Sequence, residues 1–369
     1  MKIRLLLIIS LFSISVLSAD EFIEPGTSLG GYGELHWDHE NGEMDFHRFI
    51  LFVNHVWDDK WSFKSEIEIE HNIVKSSGSG GYMALEQAYV NYNGGNWNAR
   101  MGVVLAPVGL VNEMHEPPTF LSVERPSYHS YVIPTTWFDN GFGGTYSFGD
   151  WQVGLTILAD LNGADMMDPT SKSGVDGAYS FKYARGKGFE TMAHNLTQIV
   201  NFDYSGVDGL HIGGSMTSND MPETVVDNKV TKYVGMDMNE LHVAYNKHNV
   251  WARFETATID FDFSKSSDNM LKKATEGNYI ELGYNVGSLM PSDCNLVLWT
   301  RQSSWDANTD KNDSENVGDV SESLMGITWW PNESVSFKIE SGSKDIDWND
   351  GSAQSSSTDM MNIGIGYMF

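Results

Sequence analysis

The side chains best suited to chemistry are concentrated in one proline-rich stretch, residues 106–138. Four of them offer carboxylate oxygens or an imidazole nitrogen to a divalent ion: Glu113, His115, Glu116 and Glu124. A catalytic zinc motif would need a second histidine four residues after the first, on a helix. Thr119 stands there instead, and the prolines at 117 and 118 prevent a helix. We therefore keep a divalent-ion site as an alternative only, and expect no metal or other cofactor.

The sequence also gives little support for an enzyme. Hydrolysis needs a nucleophile, a base and an orienting group within hydrogen-bond reach of one another. The sequence has no nucleophile-elbow motif, and its serines and histidines are scattered without a recognisable arrangement. We do not expect an enzyme.

Composition excludes further classes. The 369 residues carry 23 Lys+Arg against 50 Asp+Glu, a formal net charge of −27. Nucleic-acid binders need a basic surface that releases phosphate counterions, so no nucleic-acid partner is expected. The single cysteine, Cys294, cannot form an internal disulfide framework.

Residues 1–19 have the pattern of a secretory signal peptide. Lys2 and Arg4 give a positive start, Leu5 begins a short apolar run, and Ser18 and Ala19 suit cleavage before residue 20. We therefore expect two regions, a signal peptide over 1–19 and a folded domain over 20–369. After residue 19 no run of about 18 apolar residues predicts a transmembrane helix.

The remaining chain alternates apolar and polar residues with a period of two, which indicates strands. Residues 61–70 are typical, because Phe63 and Ile67 fall on one face and Glu66 and Glu68 on the other. We expect sixteen strands, at 27–38, 45–58, 60–71, 83–94, 96–106, 139–148, 150–161, 190–204, 208–218, 232–246, 248–263, 277–290, 293–305, 318–331, 333–345 and 357–369. Short turns alternate with long connections between these strands, and residues 219–231 are expected to be one of the long connections.

This rhythm predicts an all-β fold, a transmembrane antiparallel β-barrel of about sixteen strands in the bacterial outer membrane. Closure leaves no unpaired strand edge in lipid, where each unpaired backbone group costs several kcal/mol. Tryptophans near the short turns fit an aromatic girdle: Trp57, Trp61, Trp97, Trp151, Trp251, Trp329 and Trp330. The last strand, with Tyr367 and the terminal Phe369, resembles an outer-membrane assembly signal. The expected partners are therefore the barrel-assembly machinery, outer-membrane lipid and lipopolysaccharide.

The stretch 106–138 is the longest connection and holds five of the ten prolines. Long connections without secondary structure are usually functional. Because it also carries apolar side chains such as Leu110 and Phe120, we expect it to fold into the barrel and constrict the lumen. A loop packed on the rim is the alternative.

Four motifs resemble the phosphate-selective porin O/P-like family of outer-membrane proteins. They are SEIEIEH, LEQAYV, PVGLVNEMHEPPTFLSVERP and VIPTTW, all within about residues 45–145. The resemblance implies a sixteen-stranded porin, a homotrimer, and passive diffusion of small solutes or ions, with 106–138 where such porins place a constriction loop.

Charge argues against transferring the phosphate preference. Anion selectivity needs cationic side chains along the pore, and the candidate pore or constriction residues include both signs: Arg48, Lys64, Glu66, Glu68, Arg100, Glu113, His115, Glu116, Glu124 and Arg125. Several cations have an acid nearby in strand register and are expected to form local ion pairs: Lys64 with Glu66, Arg253 with Glu255, and Lys338 with Glu340. We expect a general or weakly cation-preferring pore. A non-conducting structural or adhesion barrel, with acidic outer loops that bind partners, is the alternative.

Overall fold

The computed structural model describes residues 24–74, 81–167, 181–267, 274–290, 294–306, 309, 318–348 and 355–369. The predicted signal peptide, residues 1–19, lies outside these ranges. Within them, no helix is long and apolar enough to cross a membrane.

Sixteen antiparallel strands form one closed barrel in the described part of the chain, each strand paired with its neighbours in sequence. They are β1 (Gly26–Asp38), β2 (Glu43–Val56), β3 (Trp61–Glu70), β4 (Met83–Asn93), β5 (Trp97–Leu105), β6 (Phe138–Phe148), β7 (Trp151–Leu158), β8 (Thr197–Tyr204), β9 (Leu210–Val226), β10 (Lys229–Lys247), β11 (Val250–Asp262), β12 (Ala274–Asn285), β13 (Asn295–Asp306), β14 (Gly318–Asn332), β15 (Val335–Trp348) and β16 (Ser356–Met368). The predicted fold class and number of strands are confirmed.

The seam between β1 and β16 closes the ring. Tyr32 pairs with Met368 and Asp38 with Asn362 across it. Beyond the strand, Gly31 and Phe369 exchange two backbone hydrogen bonds of 3.0 and 2.9 Å. Phe369 also stacks on Phe49 of β2. The residues predicted to form an assembly signal therefore complete the barrel wall.

The two faces of each strand have opposite chemistry. On β12, Ile280 and Leu282 are exposed, whereas Tyr279 and Glu281, which alternate with them, are buried. Because the sheet is closed, the buried set faces the lumen and the exposed apolar set faces outward, as a lipid-facing surface requires. This alternation is the period of two that the sequence shows.

Five of the seven girdle tryptophans are exposed, at 57, 61, 97, 151 and 329. The prediction was wrong for the other two. Trp330 is buried and its Nε1 donates to Pro118 O at 3.2 Å. Trp251 donates from Nε1 to Glu281 on the inner wall at 2.9 Å. Both indoles carry an N–H group that finds a partner inside the barrel, so proximity to a short turn did not decide which side they face.

Some predicted boundaries were also wrong. Residues 219–231 are not a long loop, because β9 and β10 continue to a two-residue turn at Asp227 and Asn228, both with positive φ. Such a turn matches the twist of the strands it joins. The strand predicted from residue 190 begins at Thr197, because the Asp160 carboxylate accepts the backbone N–H groups of residues 194–196 and turns the chain there.

Two connections enter the barrel interior, the second of them in the part that the structure describes. Residues 106–137 contain a 3-10 helix (Pro117–Thr119) and one helical turn, α1 (Tyr128–Tyr131). Residues 159–196 contain α2 (Gly163–Met167) and a 3-10 helix (Phe181–Ala184) in their described part. Side chains from both connections, such as Val132 and Phe181, join inward residues of the wall in one buried apolar cluster.

Candidate functional site

Residues 106–137, the inserted segment, lie within the lumen and are tied together at their two ends. Asn112 Nδ2 donates to Ala106 O at 2.7 Å and to Trp137 O at 2.9 Å. Its Oδ1 accepts the Trp137 backbone N–H at 2.7 Å. One buried amide thus closes the segment into a loop at the point where it leaves β5 and returns to β6.

The first arc of the wall, β1–β5, holds the segment through charged side chains. His115 Nδ1 lies 3.0 Å from Asn112 O, an arrangement in which Nδ1–H donates. Nε2 lies 3.3 Å from Glu66 and 3.6 Å from Glu86, all three residues being buried. Burial alone would lower the pKa of His115, but the two carboxylates outweigh it and raise the pKa to about 10. His115 is therefore an imidazolium that neutralises buried acids.

Two further ion pairs join the segment to this arc. Arg100 of β5 donates to Glu113 at 3.0 Å. His36 Nδ1 of β1 lies 2.5 Å from Glu124. The wall itself is also paired here, since the buried Arg48 guanidinium contacts Glu34. Positive charge on this arc is thus largely matched by adjacent carboxylates.

The second arc, β10–β15, holds mainly the backbone of the segment. Lys338 Nζ donates to Pro117 O at 2.6 Å and to Ser122 O at 2.7 Å. Other wall side chains do the same for neighbouring backbone groups: Arg253 binds Thr119 O, Thr328 binds Leu121 O, Trp330 binds Pro118 O, and Glu240, Glu255 and Glu340 accept the N–H groups of Gly109, Leu110 and Val123. The segment therefore finds on this wall the partners that an irregular backbone lacks internally.

A buried arginine occupies the centre of the second arc. Arg301 of β13 donates to Ser122 Oγ at 2.6 Å and lies 3.5 Å from both Glu281 and Glu322. Glu322 in turn accepts the Ser127 hydroxyl at 2.6 Å. Charged side chains of the wall and hydroxyl groups of the segment form one network, which fixes the position of the segment along the barrel axis.

The remaining predicted residues lie around the segment without joining a single centre. Glu68 is buried on β3 and Lys64 is half-buried on the same strand. Arg125 donates to Thr136 Oγ1 at 3.2 Å, within the segment. Glu116 is largely enclosed, and burial raises its pKa while His115 opposes the rise. The four predicted metal-binding residues have separate partners, since Glu113 pairs with Arg100 and Glu124 with His36.

The sequence predicted ion pairs between neighbouring residues of one strand. For the second arc this prediction was wrong. Lys338 binds backbone carbonyls of the segment, while Glu340 accepts the Val123 N–H at 2.7 Å. Glu255 lies 3.0 Å from His129 of the segment instead of pairing with Arg253 in the same strand. Arg301, Glu322 and His129 were not predicted as site residues at all. The alternation along β13 and β14 places Arg301 and Glu322 on the inward face, and this pattern in the sequence could have identified them.

Four groups of residues bring ligand-type atoms within 4.8 Å of one another in the described ranges. They are His36–His47–Glu124, Asp45–His47–His71, Glu66–Glu86–His115 and Asp203–His211–His242. Only two include a predicted metal-binding residue, Glu124 in the first and His115 in the third. In the third, the His115 imidazolium already forms ion pairs with both carboxylates.

Acidic groups dominate the buried inner wall. Nine glutamates on the described strands are buried: Glu34, Glu66, Glu68, Glu86, Glu240, Glu255, Glu281, Glu322 and Glu340. The buried lysines and arginines of the same strands are three: Arg48, Arg301 and Lys338. The wall is therefore chemically suited to attract cations.

Known proteins agree with this architecture. A family model for phosphate-selective porin O and P matches residues 32–228, more than half of the chain. A protein of Aquifex aeolicus (strain VF5), described as uncharacterized, is 30% identical over 284 residues, which span 72% of this chain and 62% of that protein.

Solved structures share the fold at low identity. The anion-selective porin from Comamonas acidovorans superposes with a TM-score of 0.60 at 11% identity, covering 94% of this chain and 100% of that one. The outer membrane channel DcaP of Acinetobacter baumannii gives 0.59 at 13% identity, covering 94% and 97%. OmpT of Vibrio cholerae in its trimer form gives 0.57 at 12%, covering 94% and 99%. The inward-folded proline-rich segment, the sixteen-stranded barrel and these matches lead to one conclusion: the chain is an outer-membrane protein that belongs to the phosphate-selective porin O and P family.

Proposed function

We propose that this porin is a passive diffusion channel for small solutes and ions, general or weakly cation-preferring, in which residues 106–138 set the width of the lumen. The observation that carries the ion preference is the excess of nine buried glutamates over three buried lysines and arginines on the inner wall. The field of a wall with this excess of negative charge raises the local concentration of cations in the lumen and lowers that of anions.

Phosphate selectivity would need positive side chains that are free to contact a passing anion. Arg48 contacts Glu34, Arg100 contacts Glu113, and Arg301 lies between two glutamates. Lys338 is directed to carbonyl oxygens of the inserted segment. These pairings support a general channel over a phosphate-selective one.

The test is single-channel recording from the refolded protein in a planar bilayer. We expect stable conductance steps, a reversal potential in a KCl gradient that favours K⁺, and no block when phosphate is added. Block of chloride current by low phosphate would overturn the cation preference. In that case Arg48, Arg100 and Arg125 are the first residues to replace.

A second candidate function is a non-conducting structural or adhesion barrel. The favouring observation is the buried apolar cluster inside the wall, in which Val132 and Ile133 of the segment are fully enclosed. Absence of any conductance from a barrel with a native strand content would favour this candidate, with the acidic outer loops as partner-binding surface.

The assembly that we propose is a homotrimer exported through a signal peptide cleaved after residue 19. The folded domain of residues 20–369 is delivered to the barrel-assembly machinery by its last strand, contacts lipid and lipopolysaccharide, and has no enzymatic activity. Mass spectrometry of the mature chain and light scattering in detergent test the cleavage site and the trimer.

A further inference from the structure

A second group of side chains, on the opposite side of the ring from His115, has the geometry of a metal site. Asp203 of β8, His211 of β9 and His242 of β10 lie on adjacent strands near the short turns of the barrel. In the register, Asp203 pairs with Gly213 and Gly213 pairs with His242. His242 is on the lumen face, since its neighbour Leu241 is exposed on the outer face. Asp203 and His211 share that face, because the His211 ring contacts both Asp203 and His242.

Three ligand-type atoms converge on one point. His211 Nε2 lies 3.3 Å from Asp203 Oδ1 and 3.3 Å from His242 Nε2. These separations exceed the usual hydrogen-bond length of about 2.9 Å. They match the roughly 3.4 Å between ligand atoms that surround a tetrahedral zinc ion at bonds of about 2.1 Å.

The outer nitrogen of each imidazole has a partner of its own. His242 Nδ1 lies 2.7 Å from the buried Glu240 carboxylate, which can only accept. In the neutral ring that a metal ion binds, Nδ1–H therefore donates to Glu240 and the Nε2 lone pair faces the centre. His211 Nδ1 lies 3.5 Å from Ser205 Oγ. Asn201 Nδ2 donates to the second oxygen of Asp203 at 3.2 Å. A carboxylate behind a ligating histidine is the usual second shell of a zinc site.

The space for an ion is provided by a glycine. A Cβ at Gly213 would collide with His242 Nε2 and lie 2.8 Å from Asp203 Oδ1. The other side of the group is open, because the side chains of Asp203 and His211 are 27% and 31% exposed. An ion held here would retain one position for water, as in an open three-ligand site.

We propose that Asp203, His211 and His242 bind one divalent transition-metal ion of the zinc class in the lumen. Two neutral imidazoles and one carboxylate suit Zn²⁺ and exclude Mg²⁺ or Ca²⁺, which require oxygen ligands. The ion places fixed positive charge on an acidic wall, at the end of the barrel where the short turns lie.

The test measures Zn²⁺ binding to the refolded, metal-free full chain at equilibrium, with no current recorded, so it is independent of conduction. We expect His211→Ala and His242→Ala to weaken binding by at least about 100-fold, because loss of even a second-shell partner costs about 10–100-fold. Gly213→Ala keeps every ligand and should weaken binding comparably by filling the space. Co²⁺ as a probe should give the intense visible absorption of a tetrahedral site in the wild type and lose it in these variants.

Two control variants separate this site from the other histidines. His47→Ala removes the residue shared by the two histidine groups near β1 and β2 and should leave one Zn²⁺ bound per chain. His39→Ala, outside all four groups, should have no effect. The proposal is overturned if the wild type binds no Zn²⁺, if His47→Ala abolishes all binding, or if His211→Ala and Gly213→Ala bind as the wild type does while retaining native strand content.

Discussion

The two arcs of the lumen wall hold the same segment by different chemistry. On β1–β5, wall side chains pair with charged side chains of the segment, as Glu66 does with His115. On β10–β15, wall side chains mainly pair with its backbone, as Lys338 does with Pro117 O. Outside its short helical turns the segment is irregular and rich in proline, which has no backbone N–H, so buried carbonyl groups such as Pro117 O need partners on the wall. The contacts of the first arc therefore depend on the side chains of the segment. The contacts of the second arc depend chiefly on the course of its backbone.

The largest expected effect comes from the centre of the second arc. Replacing Arg301 by Met leaves Glu281 and Glu322 buried without their cation, which should lower the free energy of unfolding by about 3–5 kcal/mol. Urea unfolding in lipid vesicles measures this. Gln302→Met, on the outward face of the same strand, should stay within about 0.5 kcal/mol. Equal losses in both variants would contradict the network role of Arg301.

The first arc should respond to alkaline pH. Because the pKa of His115 is raised from 6.5 to about 10 in the folded state, its stabilisation is complete below pH 6.5 and is lost as the pH rises through 10. His115→Gln should therefore cost about 1.5–3 kcal/mol at pH 7, the range for hydrogen bonds to charged groups, and almost nothing at pH 11. Unfolding measured across this range checks it, with the exposed His39→Gln as control. A pH-independent difference would contradict the ion pair.

The contact of the second arc with the backbone can be removed at one residue. Lys338→Met leaves Pro117 O and Ser122 O without their donor, an expected loss of about 1–3 kcal/mol. Because the segment is then held less firmly, its cleavage by added protease and the single-channel conductance should both increase. Lys60→Met, in an exposed turn, should change neither. An unchanged protease pattern in Lys338→Met would show that the other wall contacts suffice.

The smallest effect is expected at the solvent-facing edge of the first arc. Glu113 is 37% exposed where it meets Arg100, so the pair should contribute only about 0.2–1 kcal/mol. A double-mutant cycle of Glu113→Gln and Arg100→Gln measures the coupling. It should weaken further in high salt, and a coupling above that of the His115 pair would reverse the ranking of contacts on this arc.

The same contrast explains what could be predicted from sequence. The period of two gave the strand count, and it placed Glu66 and Glu68 on the buried face. Charged residues of the segment, such as His115, were recognisable by type, although their partners were not. The contacts of Lys338 or Thr328 could not be predicted, because a backbone carbonyl has no signature in the sequence. The Asp203–His211–His242 group was also missed, since its members come from three strands and only the register brings them together.

The segment's attachment to both arcs has a mechanical consequence. A thin-walled tube resists stretching along its strands but flattens easily when it is squeezed from the side. The segment spans the lumen, because its His115 contacts Glu66 on one side of the wall and its His129 contacts Glu255 on the other. The segment therefore opposes flattening of the barrel, and the cross-section should keep the same shape in bilayers of different stiffness.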